Sequence, residues 1–431
     1  MLKIATLLSL FFPIFLSAQT VLSMEEAIRI ALQENYGIQI ARLEQSGAQA
    51  QVYKANAGFG PIIDWNAGVN LGVSNVNQTF LDGRNVSRFG RTLGPNTNIS
   101  LDWTLYDGGR MQATYEKLGA LNELSQLERQ LVIQNTTAQI MEAYYLVVLQ
   151  KERLEYLNTV IEYYQERLKI TEERWQVGEG SKIDYLQSKT DLNAQLSAQT
   201  IAENDLKNAK VFLNNLMNRA PQTDFEVTKL LAGSQSYDLE GLIELAKVKN
   251  QDLLLAGKAA SISMLTEKEV EAAKRPQIGF NSSFGYSYTN STVGFLLNNR
   301  SIALNAGFTA RWNLFNGNHT QKQIDISRLN TTIINKQEEA LLNQIITDLT
   351  MAYNQFESSK ALLSFEDENK VLAEENLSIS LEKFKLGASS ILELNEAQRA
   401  FDTALNRLVN AQFNVRIAEL ELLLLSGSLV N

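Results

Sequence analysis

One unit of this 431-residue chain is written twice, and nothing else in the sequence limits its fold so strongly. Segment 27–35 answers to 242–250 and Pro61 to Pro276, both at an offset of 215 residues. The stretch from Trp103 to Gly108 answers to Trp312 to Gly317, and Trp175 to Gly178 answers to Phe384 to Gly387, both at an offset of 209. One indel of six residues between the strands accounts for the change in offset. The first repeat is expected over 20–221 and the second over 238–431, joined by a linker at 222–237. The five prolines support this division: none falls between 96 and 220 and none after 276, so both windows are free to be helical.

Each repeat reads helix, two strands, helix, helix. Ser23 and Glu26 form an S-x-x-E capping box that opens a helix able to run to about Lys54. Its counterpart runs over about 238–274. The hydrophobic period then changes to two. Ile63, Trp65, Val69, Leu71 and Val73 alternate with Asp64, Asn66, Asn70 and Ser74. The same alternation predicts strands at about 62–74, 97–106, 277–289 and 301–315.

Strands of about ten residues with one apolar and one polar face suit a transmembrane barrel, with lipid outside and water within. Trp65, Trp103, Tyr106, Trp312 and Phe315 near the strand ends suit the bilayer interface. A soluble sandwich edge shows the same alternation. Four strands cannot close a barrel with a lumen, because the smallest common barrels have about eight. The sheet edges must then be paired by other copies: three give twelve strands and four give sixteen.

After each second strand a very long helix is expected, from Arg110 to about Gln176 and from about His319 to Lys385. Each would span on the order of 100 Å. A glycine break and a second helix follow, completing helical hairpins over about 110–219 and 319–426. The last helix carries a heptad stripe of Leu394, Ala397, Phe401, Ala404, Leu408, Ala411, Val415, Ala418 and Leu422. Its other faces are polar, so it lies in water. The helix before the strands and the helix after the glycine break together match one long helix, which places the glycine break at the far tip. The fold class is therefore mainly α with a transmembrane β-barrel portion.

The N-terminus gives the compartment. Lys3, an apolar run over 4–16 and the small residues Ser17 and Ala18 make 1–19 a secretory signal peptide, cut near Ala18 and Gln19. The chain has no cysteine, which excludes thiol chemistry and N-terminal lipidation. Its formal net charge of −9 and lack of a basic block argue against nucleic-acid binding. The single histidine, His319, stands at a helix start. No metal cluster, cofactor motif or nucleophile elbow is present, so no enzymatic activity, metal or cofactor is expected.

Both predicted tips carry one motif, basic-aromatic-x-x-Gly-x-x-Ser-x-x-acidic. The first is built on Arg174, Trp175, Val177, Gly178, Ser181 and Asp184, and the second on Lys383, Phe384, Leu386, Gly387, Ser390 and Glu393. With the duplicated element order, this resembles the TolC family of outer-membrane efflux proteins over essentially the whole mature chain. The resemblance implies a homotrimer with a twelve-stranded barrel in outer-membrane lipid and a periplasmic tunnel of twelve helices. It implies docking onto a periplasmic adaptor coupled to an inner-membrane pump, with the contact at Arg174, Trp175, Val177, Gly178, Ser181, Lys383, Phe384, Leu386, Gly387, Ala388 and Ser390. It also implies an acidic ring closing the tunnel, for which Asp184, Glu393 and Glu396 hold the matching positions. Asp184 and Glu393 fit helix capping equally well, and Gln187 stands in the first repeat where Glu396 stands in the second. An arginine that latches the tip in some relatives is replaced by Ser389. The implied function is a passive exit duct of a tripartite efflux or type I secretion system. A secreted coiled-coil structural or adhesin-like protein is the alternative, although it leaves the paired strands unexplained. The cargo is not written in the sequence.

Overall fold

The computed structural model describes residues 21–229, 235–293 and 296–429; the signal peptide expected over 1–19 lies outside them. In chain order the elements are β1 (Val21–Leu22), α1 (Met24–Glu34), α2 (Tyr36–Gln51), β2 (Pro61–Thr79), β3 (Asn85–Tyr106), α3 (Arg110–Gln176), α4 (Lys182–Leu216), β4 (Glu226–Val227), α5 (Leu239–Lys249), α6 (Gln251–Glu271), β5 (Gln277–Ser291), β6 (Asn298–Arg311), α7 (His319–Lys385) and α8 (Ile391–Leu425). Short 3₁₀ turns precede β2 and β5. The fold is mixed, with few strands and very long helices. The 67 residues of α3 and of α7 each correspond to on the order of 100 Å of helix.

The chain divides into two compact units. One takes the described residues of 1–40, 131–250 and 344–431. Here parts of α3 and α7 pack with α4 and α8 around Val160, Tyr164, Leu192, Leu377, Leu394 and Phe401. The α8 stripe is broader than the heptad alone requires. Leu405 and Val409 are buried beside Phe401 and Ala404, whereas Leu408 is only half-buried. A second cluster gathers Ala27, Ile140, Tyr144, Leu213, Phe225 and Val227. There β1 and β4 form a parallel pair. The Tyr144 hydroxyl donates to Leu22 O (2.9 Å) and accepts from Thr228 N (3.1 Å), tying both short strands to α3.

The helix expected from Ser23 to about Lys54 is two helices, because Asn35 leaves the helical region at ψ 127°. Its side chain turns back to α4, where Nδ2 donates to Leu216 O at 2.8 Å. The second repeat does the same: Asn250 separates α5 from α6 and donates to Leu425 O at 2.9 Å. Each asparagine satisfies a carbonyl that the end of a helix would otherwise leave without a donor. The capping box at the start of α1 is one-sided. Ser23 Oγ accepts from Glu26 N (3.2 Å), but the Glu26 carboxylate turns to Arg29.

The second unit, 41–130 with 251–343, holds a four-stranded antiparallel sheet in the order β2-β3-β5-β6. Its register aligns Asp64 with Ser100, Asn66 with Asn98, Asn98 with Gly285, and Gly285 with Ala303. Paired residues in a sheet share a face. One face therefore runs through Asp64, Asn98, Ser283 and Asn305, and the other through Trp65, Ile99, Phe284 and Leu304. The β2–β3 hairpin extends beyond the stretch that alternation predicts, pairing without a break from Pro61 with Trp103 to Thr79 with Asn85. Its far part carries Asn75, Asn77, Gln78, Arg88 and Arg91, too polar on both faces for a period of two to show. In turn β6 ends at Arg311, short of the expected 315. The Trp312 indole leaves the ladder and donates to Lys274 O at 3.0 Å.

Candidate functional site: an amphipathic sheet and a two-hairpin tip

Two regions carry functional chemistry, and the first is the sheet. Its apolar face is open to the surroundings: Trp65, Leu71, Leu304 and Phe308 are all more than 70% exposed. An apolar face this continuous, unmatched by any covering layer among the described residues, belongs in lipid or against another apolar surface. The opposite face is rich in asparagine and serine, with scattered charges at Asp64, Arg88, Asp102 and Arg311. Asn281 Nδ2 donates to the Asp102 carboxylate, and Thr309 Oγ1 bonds Asn281 Oδ1 at 2.9 Å. β2 and β6 are edge strands, so each presents a row of backbone donors and acceptors to be paired from outside. Among the described residues no helix is long and apolar enough to cross a membrane.

The second region is where the helical hairpins turn. α3 and α7 end in the same way. Gly178 (φ 83°) and Gly387 (φ 74°) occupy the left-handed region that glycine enters without strain. Gly178 N donates to Trp175 O (3.1 Å) and Glu179 N to Arg174 O (2.8 Å). Gly387 N donates to Phe384 O (3.0 Å) and Ala388 N to Lys383 O (2.8 Å). This pair of bonds closes a helix C-terminus around a glycine. The next helices start on serine caps: Ser181 Oγ accepts from Ile183 N (3.1 Å) and Ser390 Oγ from Glu393 N (3.3 Å).

The turns bring most of the motif residues together and divide their tasks. Arg174 reaches from one hairpin to the other. Its Nη2 donates to Phe384 O (2.5 Å) and its guanidinium lies 4.8 Å from the Phe384 ring centroid. Phe384 is buried, whereas Val177 and Leu386 project with 71% and 82% exposure. Trp175 stacks on Tyr185 at 5.1 Å, and Lys182 Nζ lies 5.7 Å from the Trp175 ring centroid. Beside Val177 and Leu386 lies a cleft of 730 Å³ walled by Glu166, Lys169, Glu173 and Lys385. Lys385 is held protonated above the ordinary lysine range by its hydrogen bond to Glu382, helped by Glu166. Asp184 is half-buried, and Glu393 and Glu396 are exposed. Among the described residues none of these three carboxylates forms an ion pair.

Sequence reasoning missed the buried polar group just above the tip. Arg167 is 1% exposed and bonds Asp191, Asn395 and Gln398. The signal was available, since Val160, Tyr164, Arg167 and Thr171 follow each other at the 4-3-4 spacing of a buried stripe.

An amphipathic sheet with two open edges, joined in one chain to paired helical hairpins, defines an export channel of the outer membrane. The family model described as outer membrane efflux protein matches residues 27–219 and again 242–428, and the chain belongs to that family. It is 20% identical over 301 residues to outer membrane protein TolC of Vibrio cholerae serotype O1, covering 69% of this chain and 68% of that protein. It is 22% identical over 404 residues to outer membrane efflux protein BepC of Brucella suis biovar 1, covering 89% and 85%. Among solved structures, the outer-membrane channel OprN superposes with a TM-score of 0.77 at 16% identity, covering 94% of this chain and 90% of that one. The outer membrane protein VceC from Vibrio cholerae gives 0.73 at 16% identity, covering 94% and 96%. The protein is thus an efflux duct of the outer membrane with a periplasmic helical domain, a passive channel and not an enzyme. This displaces the alternative of a secreted coiled-coil structural protein.

Proposed function

We propose that three copies join edge to edge into one twelve-stranded barrel, with their helices forming a periplasmic tunnel. The observation that carries this reading is the sheet itself. It has four strands, an apolar face open to the surroundings and two unpaired edges. β2 of one copy would take up the free donors and acceptors of β6 in the next, which removes every edge from the bilayer. The repeats 20–221 and 238–431 then supply equivalent halves of each subunit, and 222–237 links them.

The tip residues dock a periplasmic adaptor, which in turn serves an inner-membrane pump of a tripartite efflux or type I secretion system. Val177, Leu386, Gly178, Gly387 and Ala388 offer exposed apolar side chains and bare backbone, which suits close helix-to-helix contact. Arg174, Trp175, Ser181, Lys383, Phe384 and Ser390 shape the two turns that present them. Asp184, Glu393 and Glu396 gather at the narrow end and attract cations, because carboxylates clustered in a constriction raise the local counter-ion concentration.

Single-channel recording in planar bilayers tests this reading. The wild type is expected to conduct with a preference for cations and to be blocked by multivalent cations from the tip side. The double variant Glu393→Gln, Glu396→Gln is expected to lose much of that preference. Unchanged selectivity would remove the acidic residues from the permeation path.

A further inference from the structure

Hairpin turns align β2 with β3 and β5 with β6, but no turn aligns β6 of one copy with β2 of the next. Glycine-rich strands slip easily, and a slip of one residue turns every side chain to the wrong face. The two edge strands carry Gly68, Gly72 and Gly307 on their polar faces. Side chains must therefore set the register of this seam.

The duplication supplies that register. Within the chain β3 pairs with β5, the second strand of one repeat with the first strand of the other. The seam between copies joins the same two kinds of strand, β6 and β2. Moving β3 forward by 209 residues and β5 back by 215 places Arg311 opposite Asn66, as Asp102 stands opposite Asn281. The transferred register sets Leu304 against Val73 and Phe308 against Val69 on the apolar face. On the polar face it sets Gly307 against Asn70, again one glycine to one asparagine, as Gly285 stands against Asn98. A Cβ on Gly285 would lie 3.4 Å from Asn98 Cβ, whereas Gly307 has nothing within 4 Å and is open to such a neighbour.

We propose that Arg311 of one copy pairs with Asp64 of the next copy and locks this register. Asp64 is the only charged residue of β2, and Arg311 is the only one on the polar face of β6. Both are exposed, and neither forms an ion pair among the described residues. Asp64 lies two residues from Asn66, on the same face and one diagonal step from Arg311. A long side chain spans such a step. The sheet already uses the diagonal of that sense on that face: Thr309 stands opposite Gly279, yet its hydroxyl donates to Asn281 Oδ1 at 2.9 Å. A guanidinium meets a carboxylate with two parallel hydrogen bonds, which adds direction to the attraction. A slip of two residues that sets Arg311 opposite Gly68 breaks the pair.

This inference rests on the edge-to-edge assembly, and the test separates the two. Full-length wild type, Asp64→Arg, Arg311→Asp and the double swap are compared for dissociation of the assembled particle in detergent. Each single change sets like charges across the seam and is expected to speed dissociation roughly tenfold, and the double swap to recover most of the wild-type rate. The chain has no cysteine, so introduced pairs read the register independently. Ala306 and Leu71 lie on opposite edges of one sheet, so Ala306→Cys with Leu71→Cys can be joined only between copies. That pair stands directly opposite in the proposed register and is expected to link the copies covalently on oxidation. Ala306→Cys with Ala67→Cys, four residues out of step, is expected to stay unlinked. A double swap as labile as the single changes would overturn the ion pair. Linking of the second cysteine pair in place of the first would overturn the register and the inference with it, leaving the assembly intact. A wild type that runs as a folded single chain would overturn the assembly itself. If the charge reversals fail to assemble, Asp64→Asn and Arg311→Met take their place. A double variant no worse than either single then supports the pair, and additive losses overturn it.

Discussion

Gly108 shows how much of the fold rests on single residues. It lies where β3 gives way to α3, at φ 79°, and a Cβ there would stand 2.3 Å from the Ala272 carbonyl oxygen. Arg275 Nη1 donates to the Gly108 carbonyl at 2.9 Å and closes the contact. Gly60 has a similarly positive φ of 102°, with open space around it. Gly60→Ala should therefore cost only the left-handed backbone penalty, about 1 kcal/mol. Gly108→Ala adds a collision with backbone and should cost about 3 kcal/mol or more. Thermal denaturation in detergent measures both, and equal shifts in Tm would contradict the contact. The sequence marks Gly108 through its match with Gly317, but the reason is hidden there, because Ala272 lies far along the chain. Arg167 was hidden differently. Its burial follows from the stripe it interrupts, but its acceptors sit on α4 and α8, and no local rule pairs them.

Among the elements, helix ends were the most legible, because capping and turn chemistry are local. Gly178, Gly387, Ser181 and Ser390 mark in sequence the places where α3, α7, α4 and α8 stop or start. The kinks at Asn35 and Asn250 could not be placed, since each depends on a carbonyl at the end of another helix. β1 and β4 escaped notice because two residues cannot display a period. β4 is held by charge as well as by its neighbour strand: Lys151 Nζ lies 3.0 Å from Glu226 Oε2, and Lys210 Nζ lies 3.3 Å from Oε1. The hydrogen bond from Lys151, with the Lys210 charge, lowers the Glu226 pKa from the ordinary carboxylate range. A carboxylate lowered on folding adds stability above its unfolded pKa, about 4.3, and loses it as pH falls through the lower folded value. Glu226→Gln should lower stability at pH 7 by less than about 1 kcal/mol, since the pair is partly exposed. The difference from wild type should vanish in acid, below the folded pKa of Glu226. Thermal denaturation at both pH values checks the sign, and a difference that persists in acid would contradict it.

At the scale of the whole molecule, the sequence determines more than a single chain can display. The duplicated order of elements and the two-residue period announce a sheet that one copy cannot complete. The structure supplies the register, the order β2-β3-β5-β6 and the two free edges. The asparagine- and serine-rich face carries only scattered charges of both signs, Asp64, Arg88, Asp102 and Arg311, so selection in this account falls to the helical end and to the partner docked there. All of it depends on the edge strands of one copy finding those of the next. Native mass spectrometry of the protein extracted from outer membranes in mild detergent tests that dependence most directly. A particle of three chains that resists dissociation until the sheet unfolds is the expected result; a stable, folded single chain would contradict the account.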